Sequence, residues 1–212
     1  MKQLKIIAIR HGETDWNTEG RLQGHLNSPL TPQGREQARR MSLRLQSEQI
    51  ECVYSSDLGR CQQTSEILFS QQSIPVIYTE ELRERNHGIF AGYTVQELPI
   101  KYPLEYDLYK QQGAFYTPPH GESGANRFSR IKKFIQTLTE KHENSCIALV
   151  THGGGVDSLF RMTLNLGDDY HRNYKIPNLA YNLFVFKGAK WHLECWADTS
   201  HLQGLTALDD TR

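Results

Sequence analysis

The pattern of apolar and polar positions divides the chain into short apolar runs separated by longer amphipathic stretches. Residues 4–9 (LKIIAI) form the first run, short and isoleucine-rich, as in a strand buried on both faces. Runs of the same kind recur at 52–55 (CVYS), 75–79 (PVIYT) and 145–151 (SCIALVT). Between them the spacing predicts helices. Thr31 and Pro32 supply an N-cap and a first helical position for a helix reaching about residue 48. A second helix is expected over 57–70, a third from a Ser123 cap to about 142, and a fourth over 155–166. Residues 179–186 and 191–196 flank the turn KGAK, which predicts a hairpin or two neighbouring strands. This alternation predicts an α/β fold: a three-layer α/β/α sandwich around a mostly parallel sheet covered on both faces.

No Ser/Gly-rich linker or low-complexity stretch interrupts the 212 residues, so one domain spanning 1–212 is expected. An irregular segment at about 85–121 stands apart, with Tyr93, Tyr102, Tyr106, Tyr109, Phe115, Tyr116, Pro103, Pro118 and Pro119; it is expected to act as a lid or specificity region. The 24 Lys and Arg balance the 24 Asp and Glu, which argues against nucleic acid or an anionic membrane as the main partner. Arg127, Arg130, Lys132 and Lys133 alternate with Phe128, Ile131, Phe134 and Ile135, a pattern that predicts a solvated basic face on an amphipathic helix. Cys52, Cys61, Cys146 and Cys195 are scattered without a Cys-x-x-Cys pair, as expected for a reduced protein without a disulfide or zinc framework. The apolar run behind Lys2 and Lys5 is too short for a signal-peptide core, and no segment approaches the ~20 apolar residues of a membrane span. A soluble, cytoplasmic protein is expected.

Open α/β sheets bind ligands outside the carboxyl ends of their strands, and that is where the unusual polar residues fall. The first strand ends in Arg10-His11-Gly12, and the fourth in Thr151-His152-Gly153-Gly154-Gly155. Arg60 lies in the first turn after the second strand, and Glu84 follows the third. Two arginines match the oxygens of a phosphate, and a glycine turn leading into a helix offers N–H groups to an anion. A neutral histidine can attack phosphorus, and a carboxyl group can protonate the leaving oxygen and then activate water. Together these residues suit phosphoryl transfer through a phosphohistidine, with charge stabilised by arginines and no metal. Among the nine histidines no His-x-x-x-His pair falls on a helix, and HGGG has the spacing of neither a P-loop nor a dinucleotide motif, so no metal, ATP or NAD cofactor is expected. His25, His120, His142, His171, His192 and His201 are read as structural or surface residues, and His87 as a residue that could line the pocket.

RHGET at 10–14 resembles the signature of the histidine phosphatase superfamily, the phosphoglycerate mutase-like family. Further segments resemble it in order: GRLQGHLNSPLTPQG at 20–34, SSDLGRCQQTSEIL at 55–68, LRERNHGIFAG at 82–92, HGES at 120–123, VTHGGGV at 150–156 and the tail DTSHL. The resemblance implies a phosphoglycerate mutase-like fold with His11 as the phosphorylated nucleophile and Glu84 as proton donor and acceptor. Arg10, Arg60 and His152 would complete the phosphate pocket, and Asn17, Gln23, Gly24 and the Gly153 N–H would line it. The chain departs from the family pattern at Ala91, where many phosphatases carry glutamate, at Asn27, where aspartate is frequent, and at Asp157, where several members have arginine.

The family holds both hydrolases and mutases. The segment at 85–121 is shorter than the insert of glycolytic mutases and has few cations (Lys101 and Lys110) to meet a substrate carboxylate. Its five tyrosines suit an aromatic pocket wall or lid, or equally the packing of that segment onto the core. The expected function is a metal-independent phosphatase acting on small phosphorylated metabolites. A bisphosphoglycerate-dependent phosphoglycerate mutase is the alternative, and an inactive phosphate-binding or interaction module a further one. The hairpin offers an edge for pairing, so the protein is expected to be a monomer or a homodimer.

Overall fold

A computed structural model describes residues 3–167 and 172–209. Six strands form one sheet: β1 (Gln3–Arg10), β2 (Ile50–Ser56), β3 (Val76–Thr79), β4 (Ser145–Thr151), β5 (Tyr181–Lys187) and β6 (Lys190–Asp198). Their spatial order is β3-β2-β4-β1-β5-β6. The first four in that order are parallel, whereas β5 and β6 are antiparallel to their neighbours. The central strands β1 and β4 are almost wholly buried, as their unbroken apolar runs require.

The helices are α1 (Asp15–Thr18), α2 (Pro32–Leu45), α3 (Gly59–Phe69), α4 (Leu98–Lys101), α5 (Pro103–Gln112), α6 (Gly124–Lys141) and α7 (Gly153–Leu164). One face of the sheet packs Ile7, Ile9, Val53, Ala148 and Val150 against Ala38 and Met41 of α2 and Cys61 and Leu68 of α3. The other packs Leu4, Ile6, Ala8, Ile147 and Leu149 against Ile131 and Ile135 of α6 and Val156 and Leu159 of α7. The three-layer α/β/α architecture follows from this alternation. Burying each Val, Leu, Ile or Met side chain among these contributes roughly 1.5–3 kcal/mol.

The N-caps behave as their residue types dictate. Thr31 accepts a hydrogen bond from the Gly34 N–H, with Pro32 in the first turn, and Ser123 accepts one from Asn126. Leu58 caps α3 without a side-chain bond, and Asn27 reaches across to accept the Arg60 N–H at 3.0 Å. The KGAK turn is tight: Gly188 and Ala189 both lie at φ 60°, and Lys187 faces Lys190, so the hairpin form of the expectation holds.

Two expectations change. The segment at 85–121 is not simply irregular, because it carries α4 and α5. Pro99 and Pro103 occupy first-turn positions, where the missing N–H costs nothing, so they start helices there. The basic face of α6 is not uniformly solvated either. Arg127 and Arg130 have side chains only 14% and 22% exposed, and both are taken up by carboxylates. Arg130 bonds Glu122 and also donates to the main-chain carbonyls of Glu81 and Arg83, tying α6 to the loop after β3. Among the described residues no helix is long and apolar enough to cross a membrane. His171 lies outside the described residues.

Candidate active site

The carboxyl ends of β1 and β4 are adjacent, with Arg10 paired to Thr151. The chain leaving β1 continues to α2 on one face, and the chain leaving β4 enters α7 on the other. The divergence opens a crevice between them, as at the switch point of other open α/β sheets. His11 is pinned there by its backbone: its N–H donates to Thr151 O (2.9 Å), and its carbonyl accepts from Asn178 Nδ2 (2.8 Å). The next N–H, that of Gly12, goes to Thr64 Oγ1 on α3 at 3.1 Å. Gly12 itself must lack a side chain, because a Cβ would lie 2.8 Å from the Gly34 carbonyl oxygen.

Arg10, His11, Arg60 and His152 are all essentially buried and meet in this crevice. The Arg60 Nε–H is shared between His11 Nε2 (3.3 Å) and His152 Nδ1 (3.2 Å). Its other nitrogens donate to the carbonyls of Leu26 and Gly24, each at 2.9 Å, which fixes the fork. Both imidazole nitrogens facing Arg60 therefore accept. The protons sit on the far nitrogens: His11 Nδ1 donates to Gly12 O (2.8 Å) and His152 Nε2 donates to Ser56 Oγ (2.9 Å). Burial, together with Arg60 and Arg10, holds both histidines well below the usual imidazole range. His11 Nε2 is thus a lone pair aimed at the crevice. Burial also pushes the neighbouring Cys61 thiol up to about 12, so it is no competing nucleophile at neutral pH.

Arg10 donates to Ile176 O at 2.8 Å and lies 3.8 Å from Asp209, which also binds Arg172 (2.9 Å) and the Ile176 N–H (3.1 Å). Gly153 stands beside the Arg10 guanidinium at the start of α7.

Glu84 enters from the loop after β3. Its two oxygens accept the N–H groups of Arg85 (2.8 Å) and Gly154 (2.9 Å). Burial alone would raise this carboxyl, but Arg127, the two N–H groups and His87 outweigh it and lower it to about 2. His25, expected to be a structural or surface residue, donates from its ring to the Glu84 carbonyl at 2.9 Å.

The residues expected to line the pocket divide. Gln23 Nε2 donates to Thr14 Oγ1 (2.7 Å), which donates in turn to Asn17 Oδ1 (3.0 Å). Asn17 thereby closes a capping box on α1, so a loop-building role is visible for it. Gly24 contributes its carbonyl, to Arg60, and adopts φ +54°, with His87 N only 2.9 Å from where a Cβ would stand. The N–H taken by Glu84 is that of Gly154, next to the expected Gly153.

Sequence reasoning missed Arg127, Asp157, Ser56, Asn178 and Asp209. Asp157 carried a usable signal: an acid inside GGGVDSLF, an otherwise apolar helical run, must find a cation if buried. Asp157 does, binding Arg127 and Arg161.

These features agree with what the chain is similar to. It belongs to the histidine phosphatase superfamily, branch 1, whose family model matches residues 6–199. It is 36% identical over 203 residues to phosphoglycerate mutase-like protein 4 of Arabidopsis thaliana, covering 94% of this chain and 87% of that protein. It is 31% identical to a metal-independent phosphoserine phosphatase of the same plant, covering 96% of this chain and 85% of that protein. Among solved structures, YhfR of Bacillus stearothermophilus superposes with a TM-score of 0.87 at 30% identity, covering 94% of this chain and all of that one.

Proposed function

We propose that this protein is a metal-independent phosphatase that hydrolyses small phosphomonoesters through a phosphohistidine on His11. The observation that carries the reading is the shared Arg60 Nε–H, which leaves an unprotonated nitrogen on each histidine facing one buried, arginine-lined space. A phosphoryl dianion entering that space draws the donors of Arg60 and Arg10 onto its oxygens and frees the His11 lone pair. His11 Nε2 attacks phosphorus while the ester oxygen departs with a proton from Glu84. Arg10 and Arg60, beside His152, stabilise the charge on the equatorial oxygens. Glu84, then ionised, takes a proton from water as it attacks the phosphohistidine, which releases inorganic phosphate and regenerates the acid. The name of the metal-independent phosphoserine phosphatase relative supports this reading.

A mutase reading keeps one observation in its favour. Arg85 and Arg127 lie beside Glu84, in addition to the lysines of the 85–121 segment, and would suit a carboxylate on the substrate.

The test is turnover of p-nitrophenyl phosphate in the presence of a chelator. We expect turnover in the wild type, an acid-labile phosphoenzyme on rapid quench, and a loss of about 10⁴-fold or more in His11→Ala. Dependence on added Mg²⁺ or Zn²⁺ would overturn the reading. Supplying 3-phosphoglycerate with 2,3-bisphosphoglycerate separates the two functions: free phosphate supports the phosphatase, and 2-phosphoglycerate without it the mutase.

A further inference from the structure

The reaction just described uses Arg10 and Arg60 and leaves Arg127 without a task. Arg127 reaches the site from α6, the helix expected to carry only a solvated charge there. Its Nη2 donates to Asp157 at 3.2 Å, and its Nη1 lies 3.7 Å from Glu84 Oε1. Asp157 is a firm brace: its side chain is 8% exposed and is also held by Arg161 Nε (3.2 Å) and by the Tyr174 hydroxyl (2.7 Å). The close approach depends on Gly154, where a Cβ would lie 1.9 Å from Arg127 Nη1 and 2.3 Å from Glu84 Oε1. The Gly154 N–H holds the other Glu84 oxygen, so the carboxylate cannot swing away from the cation.

We propose that Arg127, braced by Asp157, is a positioning residue that sets the pH range in which Glu84 can hand a proton to the leaving oxygen. The proposal rests on Glu84 being the proton donor. A guanidinium beside a largely buried carboxylate favours its charged form, whereas a donor must be protonated at the moment of transfer. A phosphoryl dianion in the crevice pulls in the opposite direction, and Arg127 limits how far. The other groups facing Glu84 are Arg85 and His87 from its own loop, His25 from the loop before α2, and the Gly154 N–H at the start of α7. Of these, Arg127 is the one whose position is fixed by a second, buried carboxylate.

Two measurements test this on the full-length protein. Carbon NMR of labelled carboxyl groups, with Glu84→Gln to assign the signal, follows Glu84 directly. Arg127→Met should move its titration upward by about 1–3 pH units, and Arg127→Lys should keep most of the wild-type position. In the rates, kcat/KM for an alkyl phosphate, which needs leaving-group protonation, should keep its activity to higher pH in Arg127→Met than in wild type. The profile for p-nitrophenyl phosphate should move less. Asp157→Asn provides an independent variant: it leaves Arg127 in the chain but loosens it, and should shift Glu84 in the same direction by a smaller amount. An unmoved Glu84 titration in a folded Arg127→Met protein overturns the proposal. If Glu84→Gln slows alkyl and p-nitrophenyl phosphates equally, the donor role itself fails, whatever Arg127 does.

Discussion

The floor of the pocket and its rim are built on opposite plans. Arg10, His11, Arg60 and His152 are 1–3% exposed, and each is fixed by atoms from elements far away in sequence. His11 alone is tied to β4, to Arg60 of α3 and to Asn178. The rim at 85–121 stands on its own small cluster, in which Phe90, Leu98 and Tyr116 are surrounded by Tyr93, Tyr102, Tyr106 and Tyr109. Phe90 stacks on Tyr116 (6.0 Å between ring centres), and Tyr93 meets Tyr102 edge-on (5.6 Å). Around this cluster Ile100, Leu104 and Phe115 remain 85%, 74% and 62% exposed. The tyrosines therefore pack mainly on one another and not on the two main cores. The contrast is one of construction: the floor is tied into the central sheet, whereas the rim is held by a small cluster of its own.

The sharpest way to break this comparison is at Arg60. Arg60→Ala removes the donor shared by the two histidines and should lower kcat/KM for p-nitrophenyl phosphate by about 10²–10³-fold. A loss of only a few-fold in a folded variant would mean the floor is not the seat of the chemistry.

The next effect is one of pH. His11 and His152 are held neutral in the folded protein, while the unfolded chain takes up protons below about pH 6.5. Their contribution to stability is therefore present above that value and is lost as pH falls through it, with a slope of at most ~1.4 kcal/mol per pH unit for each histidine. Urea midpoints measured between pH 7 and pH 5 should fall accordingly, and less steeply in His11→Ala. The smallest effect belongs to the rim. Tyr102→Leu breaks its ring contacts with Phe90 and Tyr93 and should cost about 1–2 kcal/mol locally. Hydrogen exchange should show faster amides within 85–121 and unchanged protection in β1 and β4. Protection lost across the whole sheet would show that rim and floor are one cooperative unit.

The same division governs what could be read from the sequence. His11, Arg60, Glu84 and His152 were legible because each closely follows an apolar run, and the carboxyl ends of parallel strands share one edge. Arg127 was not. On its helix it sits at the spacing of a surface charge, and its partners Glu84 and Asp157 lie 43 and 30 residues away in sequence, brought to it by the packing of α6 on the loop after β3 and on α7. Asp209 was hidden for a like reason, because no periodic pattern announces that a chain end will fold back to a residue in the first strand. The helices of the rim are short and hard to read in a proline-rich stretch, where Pro99 and Pro103 fall in first turns and start the helices.

That fold-back has a consequence for the order of folding. The floor joins Arg10 and His11 to Ile176, Asn178 and Asp209, residues more than 160 positions further along the chain. Contacts of such long reach form only after the segments between them have collapsed, because closing a long loop costs entropy before the contact repays it. The floor is thus expected to be among the last parts of the fold to close, after each helix has packed on its own face of the sheet.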